Sequence, residues 1–203
     1  MRAGEIVDIP GEIRYNESIQ TDTNPVFSLM MPLASPGRKE RRKHPMSKWN
    51  KWDCRFMEMA HVIAGWTSCF MPGRSIGCVI VKDKRIMTTG YNGAPAGLKT
   101  CKERGECMRR RLGIQSGTRA ELCYAIHAEQ NAIIQAAKLG VSIDGATLYC
   151  THQPCSVCAK MIVNAGITRV VYQEGYPDEF SLEIFKEANV LLERFDPQEA
   201  QQD

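Results

Sequence analysis

Two short stretches of this 203-residue chain place side chains at spacings that suit metal chemistry: His127-Ala128-Glu129 and Pro154-Cys155-Ser156-Val157-Cys158. The C-x-x-C spacing lets two thiolates reach one ion, and one histidine makes three ligands. Three protein ligands leave a fourth position open to water, which marks a catalytic metal rather than a structural one. Glu129, two residues from the histidine, can then move protons at that open position. Cys155 and Cys158 fall in the first turn of an expected helix, where unpaired N–H groups and the helix dipole favour the thiolate. A lone C-x-x-C also serves redox chemistry or structural zinc, and a lone histidine is commonly a satisfied buried residue. The two motifs together, each opening an expected helix, favour a catalytic site.

Regular elements must hold those motifs. Trp49, Trp52, Phe56, Met59, Ile63 and Trp66 recur every three or four residues, the apolar stripe of a helix lying on a core. Ile76–Val81 and Arg85–Thr89 are rich in β-formers and flank Lys82-Asp83-Lys84, which predicts a hairpin. Gly90-Tyr91-Asn92-Gly93 reads as a tight turn or loop, with Asn-Gly tolerant of positive φ. Residues 94–122 are irregular. Tyr124–Leu139 reads as a helix with Ile126, Ile133, Ile134 and Ala137 on one face and Gly140 just past its end. Ala146–Thr151, Ile167–Tyr172 and Val190–Phe195 read as strands, and Cys155–Ala165 and Ser181–Asn189 as helices. This alternation predicts an α/β fold, a three-layer α/β/α sandwich built on one mixed five-stranded sheet.

The bulk composition narrows the field further. With 43% hydrophobic residues the chain can fill one core. No apolar run approaches a membrane span and no secretory signal is apparent, so a cytoplasmic location is expected. Nine cysteines in such a chain fit metal ligation and buried thiols better than a disulfide framework. The net charge of +3 comes from Arg38–His44, with five cations and one anion; the rest holds 21 Lys+Arg against 22 Asp+Glu. The body is therefore no polycation, and nucleic acid is not an expected partner. Residues 1–47 are expected to form a poorly ordered basic arm, and 197–203 a disordered tail. Met46 is an alternative start.

The paired motifs match the H-x-E…P-C-x-x-C signature of zinc nucleobase deaminases. With Gly90-Tyr91-Asn92-Gly93-Ala94-Pro95-Ala96-Gly97 and His127-Ala128-Glu129-Gln130-Asn131-Ala132-Ile133, the chain resembles the deoxycytidylate (dCMP) deaminase family of the cytidine deaminase superfamily. The likeness runs from about Ser47 to Leu192, within an expected deaminase domain over 48–196. It implies zinc on His127, Cys155 and Cys158, with Glu129 as the proton carrier in converting dCMP to dUMP and ammonia, the supply of dUMP for thymidylate synthesis. It also implies that Asn92, Arg74 and Tyr176 hold the substrate, Arg74 on the 5′-phosphate.

Cys69, Cys101, Cys107 and Cys123 belong to or border the irregular region, and four thiolates would make a closed structural zinc site. Some members of the resembled family carry a second zinc there. Members are typically hexamers, activated by dCTP and inhibited by dTTP, so a homo-oligomer with nucleotide effectors, Mg2+ accompanying them, is expected. Cys54, Cys78 and Cys150 are expected to be buried, inert thiols. Rival readings are a tRNA adenosine, guanine or cytidine deaminase of the same superfamily, and a non-catalytic zinc-structured binding module.

Overall fold

The hairpin forms where the pattern places it. β1 (Gly77–Lys82) and β2 (Arg85–Tyr91) pair antiparallel across Asp83 and Lys84. Both of those residues have positive φ, 51° and 61°, as a two-residue turn matching the strand twist requires. The computed structural model describes residues 49–115, 118–175 and 178–200, so the arm expected over 1–47 and Tyr176 lie outside the described residues. β3 (Thr147–His152) pairs antiparallel with β1, while β4 (Arg169–Glu174) and β5 (Leu191–Arg194) continue parallel to it. The sheet order is β2-β1-β3-β4-β5, the mixed five-stranded sheet the alternation implied.

Alternate side chains of the strands feed two cores. Cys78, Ile80, Leu148, Cys150 and Val170 pack under α4 (Ala128–Leu139), α5 (Ser156–Asn164) and α6 (Glu179–Glu187). Val79, Val81, Tyr149 and Val171 face α1 (Lys51–Ala64) on the other side. Three layers result, with helices covering both faces of buried strands. Cys78 and Cys150 sit opposite each other in register, fully buried. Cys54, in contrast with the expectation, is half-buried on α1. Two short helices, α2 (Cys101–Arg104) and α3 (Met108–Arg111), and a 3-10 turn (Ala120–Leu122) punctuate the irregular region. α7 (Pro197–Ala200) adds a helical turn where a disordered tail was expected.

Expectations for two helices and one turn need correction. In α1 the buried face is Asp53, Phe56, Met57, Ala60, Ile63 and Ala64; Met59 and Trp66 are exposed. Gly77 explains the choice, because a Cβ there would lie 2.0 Å from the Ala60 carbonyl oxygen. Helix and strand meet backbone to backbone, so alanines face the sheet and the larger residues are displaced. The same holds for α4, whose buried residues are Ala128, Glu129, Ala132 and Ala136, with Ile134 and Ala137 exposed. That helix also starts at Ala128, four residues later than the periodicity predicts. Finally, Asn92 and Gly93 are not in the left-handed region; Asn92 lies in a bend, and Gly93 bridges Ile126.

A buried polar cluster anchors α1 to the sheet. The Asp53 carboxylate accepts from Arg169 (2.6 Å), the Tyr149 hydroxyl (2.7 Å) and Asn50 Nδ2 (2.6 Å), and Arg169 also reaches Glu193 at 2.6 Å. Burial and the adjacent Asp53 push the Tyr149 hydroxyl far above its usual titration range. No helix among the described residues is long and apolar enough to cross a membrane.

Candidate active site

Two helix N-termini, side by side on one face of the sheet, build the site. His127 is the residue before α4, in extended backbone, and its N–H is held by the Gln130 side chain at 2.9 Å. The segment before it is fixed by Ile126 N–H on the Gly93 carbonyl (2.9 Å), and α4 itself by Asn131 Nδ2 on the Tyr91 carbonyl (3.0 Å). Cys155 plays the same part before α5, following the buried Pro154, and Cys158 lies in that helix's first turn. Asp178 braces both sides here. One of its oxygens accepts the Ser156 N–H (2.9 Å), and the other caps α6 through the Ser181 N–H (3.0 Å). The Asp-x-x-Ser spacing was a readable capping signal, but its reach back to α5 was not.

His127 Nδ1 lies 3.5 Å from Cys155 Sγ and 3.4 Å from Cys158 Sγ. All three ligand atoms fall within 4.8 Å of one another. Tetrahedral zinc with Zn–S of about 2.3 Å and Zn–N of about 2.0 Å requires N···S separations of about 3.5 Å. The donor set therefore fits the ion without rearrangement of the histidine. Its electrostatics agree. The Cys158 thiol hydrogen-bonds to Cys155 and, with His127, outweighs burial to bring the Cys155 thiol down to about 4. The same sharing, with burial, raises Cys158. His127 is raised chiefly by Cys155, against the effect of burial.

Glu129 is 4% exposed, and burial raises its carboxyl pKa above the usual range, with His127 acting in the opposite direction. It is hydrogen-bonded to Cys158, which sets it against the ligand cluster. A cleft of about 290 Å³ opens on His127. Arg74 and Asn92 line it, but the Asn92 side chain is largely engaged by the protein. Its oxygen accepts from Thr67 Oγ1 (2.7 Å) and the Ile76 N–H (2.9 Å), and its nitrogen donates to the Arg74 carbonyl (2.6 Å). One amide hydrogen is left for a ligand. Sequence reasoning missed Arg109 and Arg110, which also line the cleft; the run Arg109-Arg110-Arg111 was the available signal.

Cys69, Cys107 and Cys123 form part of the same wall. Cys101 is buried, and its thiol is pushed up first by burial and then by Cys123, Cys69 and Cys107, so the four are neighbours. Among the described residues, however, no three of these sulfurs come within 4.8 Å of one another.

A metal-ready His-Cys-Cys cluster with a buried carboxylate against it, at the end of a cleft, defines a metal-dependent hydrolytic enzyme. Residues 50–174 match the model of the cytidine and deoxycytidylate deaminase zinc-binding region. The ComE operon protein 2 of Bacillus subtilis is 40% identical over 144 residues, 70% of each chain. The deoxycytidylate deaminase of Mycobacterium phage D29 is 40% identical over 126 residues, 60% of this chain and 93% of its own. That of Saccharomyces cerevisiae is 37% identical over 158 residues, but the match spans only 48% of its length. The crystal structure of the cyanophage S-TIM5 dCMP deaminase with dCMP and dUMP superposes with a TM-score of 0.56 at 29% identity, over 70% of this chain and 94% of that one. The chain belongs to the cytidine and deoxycytidylate deaminase family.

Proposed function

We propose that the chain is a zinc-dependent dCMP deaminase, exchanging the 4-amine of cytosine for oxygen to give dUMP and ammonia. The observation that carries this reading is the convergence of His127, Cys155 and Cys158 with Glu129 at the end of a cleft that also holds arginine. His127, Cys155 and Cys158 would hold the zinc, which when bound supplies a water acidic enough to attack near neutral pH. Glu129 would accept a proton from the attacking water and deliver it to ring N3, making C4 electrophilic; it would then take the proton of the new C4 hydroxyl and pass it to the amine, which leaves as ammonia. A carboxyl raised by burial suits both steps, because it can hold the proton between them. Arg74 and Asn92, with Tyr176, are assigned to the substrate.

The rate of ammonia release from dCMP, CMP, cytidine, guanine and tRNA, each with and without dCTP and dTTP, tests substrate and regulation together. Turnover confined to dCMP is the expected result. Turnover of tRNA or guanine without dCMP would replace this reading by a sister activity, and no turnover by the binding-module reading. Stimulation by dCTP and inhibition by dTTP are expected, and effector sensing is assigned to the Gly90–Gly97 loop at a subunit interface. The exposed Val62 and Trp66, at 56% and 60%, leave apolar surface for a further copy of the chain. Trp66 also meets Tyr91 of that loop edge-on, ring centroids 6.3 Å apart. We assign the assembly as a hexamer on family likeness.

The cluster of Cys69, Cys101, Cys107 and Cys123 is assigned a second, structural zinc. Binding would draw the sulfurs closer and close the irregular loop on the cleft it lines. Metal analysis of the purified protein is expected to give two zinc per chain; one per chain removes the second site.

A further inference from the structure

We propose that Arg109 grips the 5′-phosphate and so sets the preference for a nucleotide over a nucleoside, an assignment that rests on the deaminase reading above. Three arginines, Arg74, Arg109 and Arg110, line the cleft that reaches His127, and none of its lining residues is acidic. Such a wall attracts an anion. Of the three, Arg74 and Arg110 are exposed, whereas Arg109 is partly withdrawn from water. One end of its guanidinium is fixed, with Nη2 donating to the Gln115 carbonyl at 2.8 Å. Its Nε is buried and has no hydrogen-bond partner among the described residues.

A guanidinium N–H hidden from water without an acceptor is unfavourable until an acceptor arrives. The planar fork of arginine suits the oxygens of a phosphate. Arg109 is placed near the chemistry, because it lines the same cleft as His127. Neighbouring charges leave it available. Glu121 feels its field but is paired with Arg119. The adjacent Arg111 is instead exposed and held by Glu106 at 3.0 Å. The backbone also supports the role: Arg109 follows Cys107 by two residues on α3, in the wall that carries the cysteine cluster.

The test is steady-state kinetics on dCMP for the wild type, Arg109→Gln, Arg109→Lys and Arg111→Gln, with melting temperatures recorded on the same samples. Loss of a charged phosphate contact is expected to raise KM for Arg109→Gln by about 10- to 100-fold. Its kcat should stay within about 3-fold, since the contact is equal in ground and transition states. Arg109→Lys should recover part of the KM, Arg111→Gln should match wild type, and all should melt together. An unchanged KM for Arg109→Gln overturns the proposal. So does a kcat that falls with the melting temperature, which would make Arg109 a support for the loop. A wild type that does not act on dCMP fails the deaminase reading instead, a result visible before any variant is measured.

Discussion

Glu129→Gln should keep its zinc and lose nearly all turnover, with kcat on dCMP falling by about 10³-fold or more. That factor corresponds to about 4 kcal/mol of barrier. The substitution keeps the size and shape of the side chain, and Glu129 is not one of the three ligand atoms that fit the ion. What it removes is a buried carboxyl, set against the cluster, that can take a proton, hold it, and release it twice. An amide can do none of these near neutral pH. Zinc content and kcat measured on one preparation separate the outcomes. Unchanged zinc with collapsed kcat assigns the proton transfers to Glu129. Residual activity above about a tenth of wild type would exceed what general acid–base catalysis leaves after losing its acid, and would remove Glu129 from the mechanism. Loss of zinc along with activity would instead make it a support for the ligands.

The ligand set was legible because zinc demands particular atoms at particular spacings, and helix starts announce themselves locally. His127, Cys155 and Cys158 could be read without knowing any tertiary contact. The strands were legible for a similar reason: a β-rich run bounded by Asp83-Lys84 or by Gly166 has few alternatives. What was not legible is which side of each helix meets the sheet. Hydropathy favoured Met59, Trp66 and Ile134 for the core, yet all three face outward. The contacts are made by Gly77 against Ala60 and by Gly90 against Ala128 and Ala132, where close approach rather than large apolar area decides the packing. A sequence pattern weighted by side-chain hydrophobicity underrates such pairs. The cleft wall was hidden for a different reason. Arg109 and Arg110 lie in a segment with no sustained period, so nothing local says which arginine turns inward. Asn92 shows a third limit: its type suggested a turn or a ligand-binding amide, and only the positions of Thr67, Arg74 and Ile76 reveal how much of it the protein uses.

Gly90→Ala tests how tightly fold and site are coupled. A Cβ at Gly90 would lie 2.2 Å from the Ala128 carbonyl oxygen and 2.5 Å from the Ala132 nitrogen, both backbone atoms of the first turns of α4. Neither can rotate away, so the helix must move off the sheet. Gly90 has no positive φ, so the cost comes from space and not from backbone conformation. Overpacking of this kind is expected to cost about 3 kcal/mol, a drop in melting temperature of about 6–12 °C. The helix that moves carries His127 and Glu129, while Cys155 and Cys158 stay with α5. The imidazole should therefore be pulled from its 3.4–3.5 Å spacing to the sulfurs, weakening zinc as well as the fold. Gly77→Ala supplies the comparison. Its Cβ would meet Ala60 and Ala64 of α1 at 2.0–2.4 Å, on the face of the sheet away from the ligands. Both variants should melt early, but only Gly90→Ala should lose zinc to a chelator at temperatures where the protein is still folded. Equal zinc retention in the two would show that α4 can shift as a body without disturbing the ligands, and that the site is held from the α5 side alone.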